Sequence, residues 1–145
     1  MTLYFLIFPL LAALLAQSAK FFIESNKQKF SIRNLVAYSG MPSGHSAIIV
    51  SLSTIVGLVE GFDSALFAVC FVLAVITIRD AIGLRQYLGQ HGKTLNILVK
   101  DLKEDELLDE NYPQLLEKIG HTPLQVLVGS IIGFLVSFIG YLVLV

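Results

Sequence analysis

Residues 119–145 read IGHTPLQVLVGSIIGFLVSFIGYLVLV, and no residue among them is charged. A helix needs about 20 mostly apolar residues to cross a bilayer core, so this stretch is long enough for one. Its start is also legible. Thr122 as N-cap, Pro123 at the first helical position and Gln125 three residues after Thr122 form a capping box. Working outward, three more apolar stretches appear. Met1–Ala19 carries no charge and ends at Lys20, with Pro9 inside it, which membrane helices tolerate. Ser43–Val59 ends at Glu60, and after the turn Glu60-Gly61-Phe62-Asp63 a third stretch runs from Ser64 to Ile82.

The expected fold is therefore all-α: a single polytopic membrane domain over residues 1–145. About four transmembrane helices are expected at 1–19, 43–59, 64–82 and 120–145. The polar segment 85–118, with leucines at 95, 98, 102, 107, 108 and 115, predicts one or two amphipathic interfacial helices, broken near Tyr112-Pro113 and Gly120. Composition agrees. Of 145 residues, 55% are hydrophobic and 14% charged, and the mean hydropathy is +0.77. The single cysteine, Cys70, lies in an apolar run and reads as a small buried hydrophobe. No basic stretch has the character of a nucleic-acid site, and the first apolar run is preceded by no Lys or Arg, against a cleaved signal peptide.

Charge placement gives an orientation. Four spans put both termini on one side with the Glu60–Asp63 turn. All ten basic residues then fall on the other side: Lys20, Lys27, Lys29, Arg33, Arg79, Arg85, Lys93, Lys100, Lys103 and Lys118. The positive-inside rule makes that side cytoplasmic. Two small-residue stripes, Gly57-x-x-x-Gly61 and Gly129-x-x-x-Gly133 followed by Ser137, suit close helix packing. Packing within one chain is the plainer reading, and a homodimer face is the sharper one.

Polar residues converge on the basic side. Met41-Pro42-Ser43-Gly44-His45-Ser46 starts the second span, with Ser43 as cap and His45 in the first turn among unpaired N–H groups, a ready anion site. Gly120-His121-Thr122-Pro123-Leu124-Gln125 starts the fourth. Arg79-Asp80 ends the third, Arg85 follows, and Lys20 ends the first. Each has an ordinary alternative: a cap, an interfacial histidine, a structural Arg–Asp pair, a snorkelling lysine. Together they suit a phosphate group. One histidine attacks phosphorus, the other protonates the leaving oxygen, and the cations neutralise the oxygens. The two rings should then have nitrogens on the order of 4–7 Å apart. No acidic cluster indicates a metal; the acids of Asp101–Glu110 read as a solvated helix face. His91 reads as a surface loop histidine.

Pro42-Ser43-Gly44-His45 matches the second motif of the type 2 phosphatidic acid phosphatase superfamily, which includes vanadium haloperoxidases. His121 begins a stretch that resembles its third motif, His-x-x-x-Asp. The chain is similar to a divergent branch described as acid phosphatase/vanadium-dependent haloperoxidase-related. The matching landmarks are Gln17-x-x-Lys20, Met41–Ala47, Glu60–Ser64, Asp80-Ala81-x-Gly83-x-Arg85, Leu95-Asn96 and Gly120–Pro123, spanning Gln17 to Gly133. The resemblance implies that His121 forms a phosphohistidine, that His45 is the general acid, and that Ser43 and the Gly44 backbone contact phosphate. It also shows departures. Lys20 and Lys27 have the first-motif spacing, but Lys replaces Arg and Gln28 replaces Pro. Gln114 and Leu115 stand where the third motif has Ser-Arg, and Gln125 stands in place of its Asp. Lys20, Arg79 and Arg85 are the candidate phosphate cations, with Gln125 and Asp80 as orienting groups.

The expected function is a membrane phosphatase acting, without metal or cofactor, on a lipid or isoprenoid phosphate monoester through a phosphohistidine. Two alternatives stand beside it. One is a non-catalytic phospholipid-headgroup-binding or transport-type protein on the same scaffold. The other is a structural or assembly role through the small-residue faces. Haloperoxidase chemistry needs several Arg and Lys contacts to vanadate, more than this chain supplies.

Overall fold

The computed structural model describes residues 3–23, 40–104 and 112–144. Lys27, Lys29, Arg33 and the acids from Asp105 to Glu110 lie outside the described residues, and with them the Lys20–Lys27 spacing. Among the described residues every regular element is helical. The order is α1 (Tyr4–Ala19), α2 (Gly44–Glu60), α3 (Ala65–Arg79), a π-helical turn (Asp80–Leu84), α4 (Arg85–Glu104) and α5 (Pro123–Leu144).

Local chemistry sets the helix starts. Ser43 Oγ accepts from the Ser46 N–H at 3.4 Å, and Ser64 Oγ accepts from the Phe67 N–H at 3.1 Å. At α5 the capping box closes: the Thr122 N–H donates to Gln125 Oε1 at 2.9 Å and the Gln125 N–H to Thr122 Oγ1 at 3.3 Å. Such caps each contribute about 1 kcal/mol. Gly61, with φ +94°, ends α2 and opens the turn into α3.

The packing is inside-out relative to a water-soluble core. Many of the residues buried between helices are small, among them Ala12, Ala16, Ala47, Ser51 and Ser137. Leucines, valines and isoleucines of α1, α3 and α5, such as Leu10, Leu14, Val69, Ile76, Ile131 and Ile139, face outward. Exposed apolar surface on this scale marks contact with lipid or with other protein. α2 packs against α1, α3 and α5. It runs parallel to α5, because successive contacts climb together. A Cβ on Gly129 would strike the Ser43 carbonyl, and one on Gly133 the Ala47 carbonyl. One step further, Ser137 Oγ donates to the Ser51 carbonyl at 2.8 Å and lies 2.6 Å from Ser51 Oγ. Gly57 is covered by Phe62 and Phe67. Both small-residue stripes thus pack inside the chain, the plainer of the two readings.

Among the described residues two helices are long and apolar enough to cross a membrane: α5, and the continuous helix Ala65–Glu104. α1 and α2 are apolar but shorter, at 16 and 17 residues. Ala65–Glu104 is one continuous helix, so the third apolar stretch runs on into the amphipathic segment. Asp80-Ala81-Ile82-Gly83-Leu84 contains no proline, so the chain absorbs the change of face by widening into a π-turn. At 40 residues and about 1.5 Å per residue, the helix is roughly twice as long as a bilayer core is thick. His91 is exposed, as expected, but sits on α4 and not in a loop.

A second correction concerns residues 112–119, which are extended and not helical. They run back along α4 as a strap. Asn96 Nδ2 donates to the Leu115 carbonyl at 2.9 Å, and the Leu115 N–H donates to Asn96 Oδ1 at 2.9 Å. Gly89 and Gly92 let the strap carbonyls of Glu117 and Leu116 approach where any Cβ would collide. One side-chain amide thus satisfies the strap backbone as a neighbouring strand would, replacing the bonds a helix needs.

Candidate functional site

The strap delivers the chain to His121. Gly120 has φ +91° and sits on the backbone of Arg85 and Gln86, a place and a conformation open only to glycine. The His121 N–H then donates to the Ala81 carbonyl at 3.0 Å, and the His121 carbonyl accepts from Gln86 Nε2 at 2.8 Å. The π-turn and the first turn of α4 therefore clamp His121 from both sides of its backbone. It lies two residues before α5 and outside that helix. On the opposing element, the Ser43 N–H donates to the Gln125 carbonyl at 3.0 Å and joins the start of α2 to the start of α5.

These bonds bring the two histidines together. Their ring centroids are 6.2 Å apart with planes at 74°. Their surroundings differ. His45 is exposed in the first turn of α2, while His121 is 2% exposed. Both His121 ring nitrogens are buried without a hydrogen-bond partner among the described residues. Burial first, then the Lys20 charge, the neighbouring His45 and the Arg85 guanidinium push the His121 imidazole down to about 4. It is neutral at neutral pH, with one nitrogen lone pair free.

Lys20, just past the end of α1, is 2% exposed. Burial lowers its ammonium below the ordinary lysine range. Arg85 Nε donates to Asp80 Oδ2 at 2.5 Å, both side chains being about one-third exposed. Asp80 therefore holds the guanidinium in place and does not reach the His121 ring. Arg79 is exposed. Ser43 is fully buried, and its hydroxyl oxygen accepts from the Ser46 N–H and from Ser46 Oγ at 2.9 Å; its observed work is to hold the turn. Gln125 is spent in the capping box, so the orienting bond to His121 expected of it is not made. Gly44 is buried in the first turn of α2, where helix N–H groups lack a carbonyl ahead of them.

Two residues were not singled out as site groups by the sequence reading. Gln86 fixes the His121 carbonyl. Gln17 lies one turn before Lys20, and its amide packs on Gly44: a Cβ built there would be 3.3 Å from Gln17 Nε2. A polar amide inside a charge-free apolar stretch was the available signal for Gln17. Nothing local marks Gln86. Between α2, α3 and α5, and reaching toward the Glu60–Asp63 turn, an apolar crevice of about 460 Å³ is lined by Val50, Leu58, Phe62, Phe67, Ile78 and Phe134; none of the site residues lines it.

The profile of the family described as "Divergent PAP2 family" matches residues 1–136. The membrane protein YuiD of Bacillus subtilis (strain 168), itself described as uncharacterized, is 37% identical over 148 residues, covering 91% of this chain and 92% of the relative. No solved structure matches the chain.

Proposed function

The chain belongs to the divergent PAP2 family, and from that premise we propose that it is a membrane phosphatase acting on a lipid or isoprenoid phosphate monoester at its basic end. The observation that carries this reading is the pair of histidines 6.2 Å apart at the starts of α2 and α5, one buried and neutral, the other open to solvent. In the first step a His121 nitrogen lone pair attacks phosphorus and the P–O ester bond breaks. The leaving oxygen takes a proton from the His45 imidazolium. In the second step His45 takes a proton from water as its oxygen attacks the phosphohistidine, releasing phosphate and restoring His121. Lys20, Arg85 and the first-turn N–H groups at Gly44 and His45 stabilise the equatorial oxygens. In this reading α1, α2, α3 and α5 all cross the membrane, with the site on the cytoplasmic side.

A second reading is supported by one specific feature. Gln125 is engaged in its cap and no other described group binds a His121 ring nitrogen. A nucleophilic histidine ordinarily has a partner that fixes its tautomer, so a headgroup-binding protein without turnover also suits the site. The deciding experiment is phosphate release from a panel of lipid phosphates, with EDTA present, wild type against His121→Ala. The phosphatase reading expects release by the wild type and its loss in the variant, by about 10³-fold or more, as for removal of a nucleophile. No release from either protein, with headgroup binding intact, moves the function to the second reading.

A further inference from the structure

Three buried polar atoms at the site have no protein partner among the described residues: both ring nitrogens of His121 and Oε1 of Gln17. Buried polar atoms are almost always hydrogen-bonded, so three together mark where a ligand's own polar atoms belong. Their chemistry restricts that ligand. A neutral imidazole offers one donor and one acceptor, and an amide oxygen is an acceptor only. A ligand with acceptor oxygens alone, such as a fully ionised oxyanion, would leave Gln17 Oε1 unsatisfied and face it with like partial charge.

From this we infer that Gln17 is a ligand-contacting, specificity-determining residue: its Oε1 accepts a hydrogen bond from a protonated phosphoryl oxygen. The inference rests on the phosphate site proposed above. Gln17 is well placed for it. It lies in the last turn of α1, three residues before Lys20 at the helix's C-cap. Its amide rests directly on Gly44, in the first turn that carries His45. α1 thus brings a cation for the ionised oxygens and an acceptor for the protonated one. The site then recognises the proton that phosphoryl groups carry near neutral pH. Sulfate is the natural contrast, having nearly the same size, shape and charge as hydrogen phosphate but no O–H.

The test is anion binding, which requires no turnover. The purified full chain in detergent is titrated with inorganic phosphate and separately with sulfate near neutral pH, and binding is followed by calorimetry. The wild type should prefer phosphate by about tenfold or more, the cost of leaving one buried acceptor unpaired. Gln17→Leu should bring the ratio close to one by losing phosphate affinity. Gln17→Glu, nearly isosteric and able to accept the same hydrogen bond, should keep the preference and move optimal phosphate binding to lower pH; it guards against a Leu variant that fails to fold. Equal binding of both anions by the wild type, or an unchanged ratio in Gln17→Leu, overturns the inference and leaves the phosphate site standing. Binding of neither anion overturns the site and the inference together.

Discussion

His121 shows how one residue's environment fixes its chemistry. Folding strips it of water and sets Lys20 and Arg85 near it, so the charged imidazolium is disfavoured and titration moves down to about 4. The linkage sign follows. Unfolded, the ring takes up a proton near its ordinary value of about 6.5, whereas the folded ring stays neutral until pH approaches 4. Stability is therefore full above pH 6.5 and falls as pH drops from there toward 4, by up to about 3 kcal/mol for this group. The thermal midpoint of the purified protein should fall across that window, and His121→Asn should flatten the fall. An equal slope in both proteins would assign it to other groups. At this scale much was legible in the sequence. His45, His121, Lys20 and Arg85 were each identifiable as polar residues at the ends of apolar runs. Gln86 was not, because its partner, the His121 carbonyl, is distant in sequence and leaves no local trace.

At the scale of elements, the α2–α5 pair is held by absence of side chain. Gly129 and Gly133 bring the helix of α5 onto the carbonyls of Ser43 and Ala47, and the same contact aligns the two helix starts that carry the histidines. Gly129→Val should cost stability by about 1–3 kcal/mol through overpacking. It should also reduce activity, by separating the starts of α2 and α5. Gly83→Ala is the matched control: a Cβ there meets nothing within 4 Å, and alanine favours a helical backbone. Thermal unfolding of both variants tests the contrast, and equal losses would refute it. The caps at Ser43 and Thr122 were readable because capping uses residues within three positions. The π-turn and the strap were not. Each depends on contacts across the fold, the strap through Asn96 and the π-turn through the Ala81 carbonyl, which it offers to His121.

For the whole molecule, the chain separates its charges by end. Tyr4 Oη donates to the Leu144 carbonyl at 3.0 Å, so the start of α1 meets the end of α5. The antiparallel α2–α3 turn at Glu60–Asp63 completes a four-helix arrangement whose opposite end carries Lys20, Arg85 and the two histidines. If all four helices cross the bilayer, a cysteine at Asp63 should react with an impermeant maleimide from outside intact cells. One at Lys93 should react only after permeabilisation. A Cys70→Ala background removes the native thiol. Labelling of both from outside would refute the four-span topology.

Sequence by itself determined the helical class, the helix starts, the sorting of charge and the histidines' position at apolar–polar boundaries. Hydropathy, caps and charge are local properties, written in runs of neighbouring residues. Only the tertiary structure decided that the small-residue stripes close within one chain, that helix α3 continues through a π-turn, and that an extended strap carries His121 onto it. It also decided which polar atoms at the site keep protein partners and which do not. Those outcomes depend on backbone-to-backbone approach between segments tens of residues apart, where the energy lies in fit and hydrogen-bond geometry that no single segment encodes.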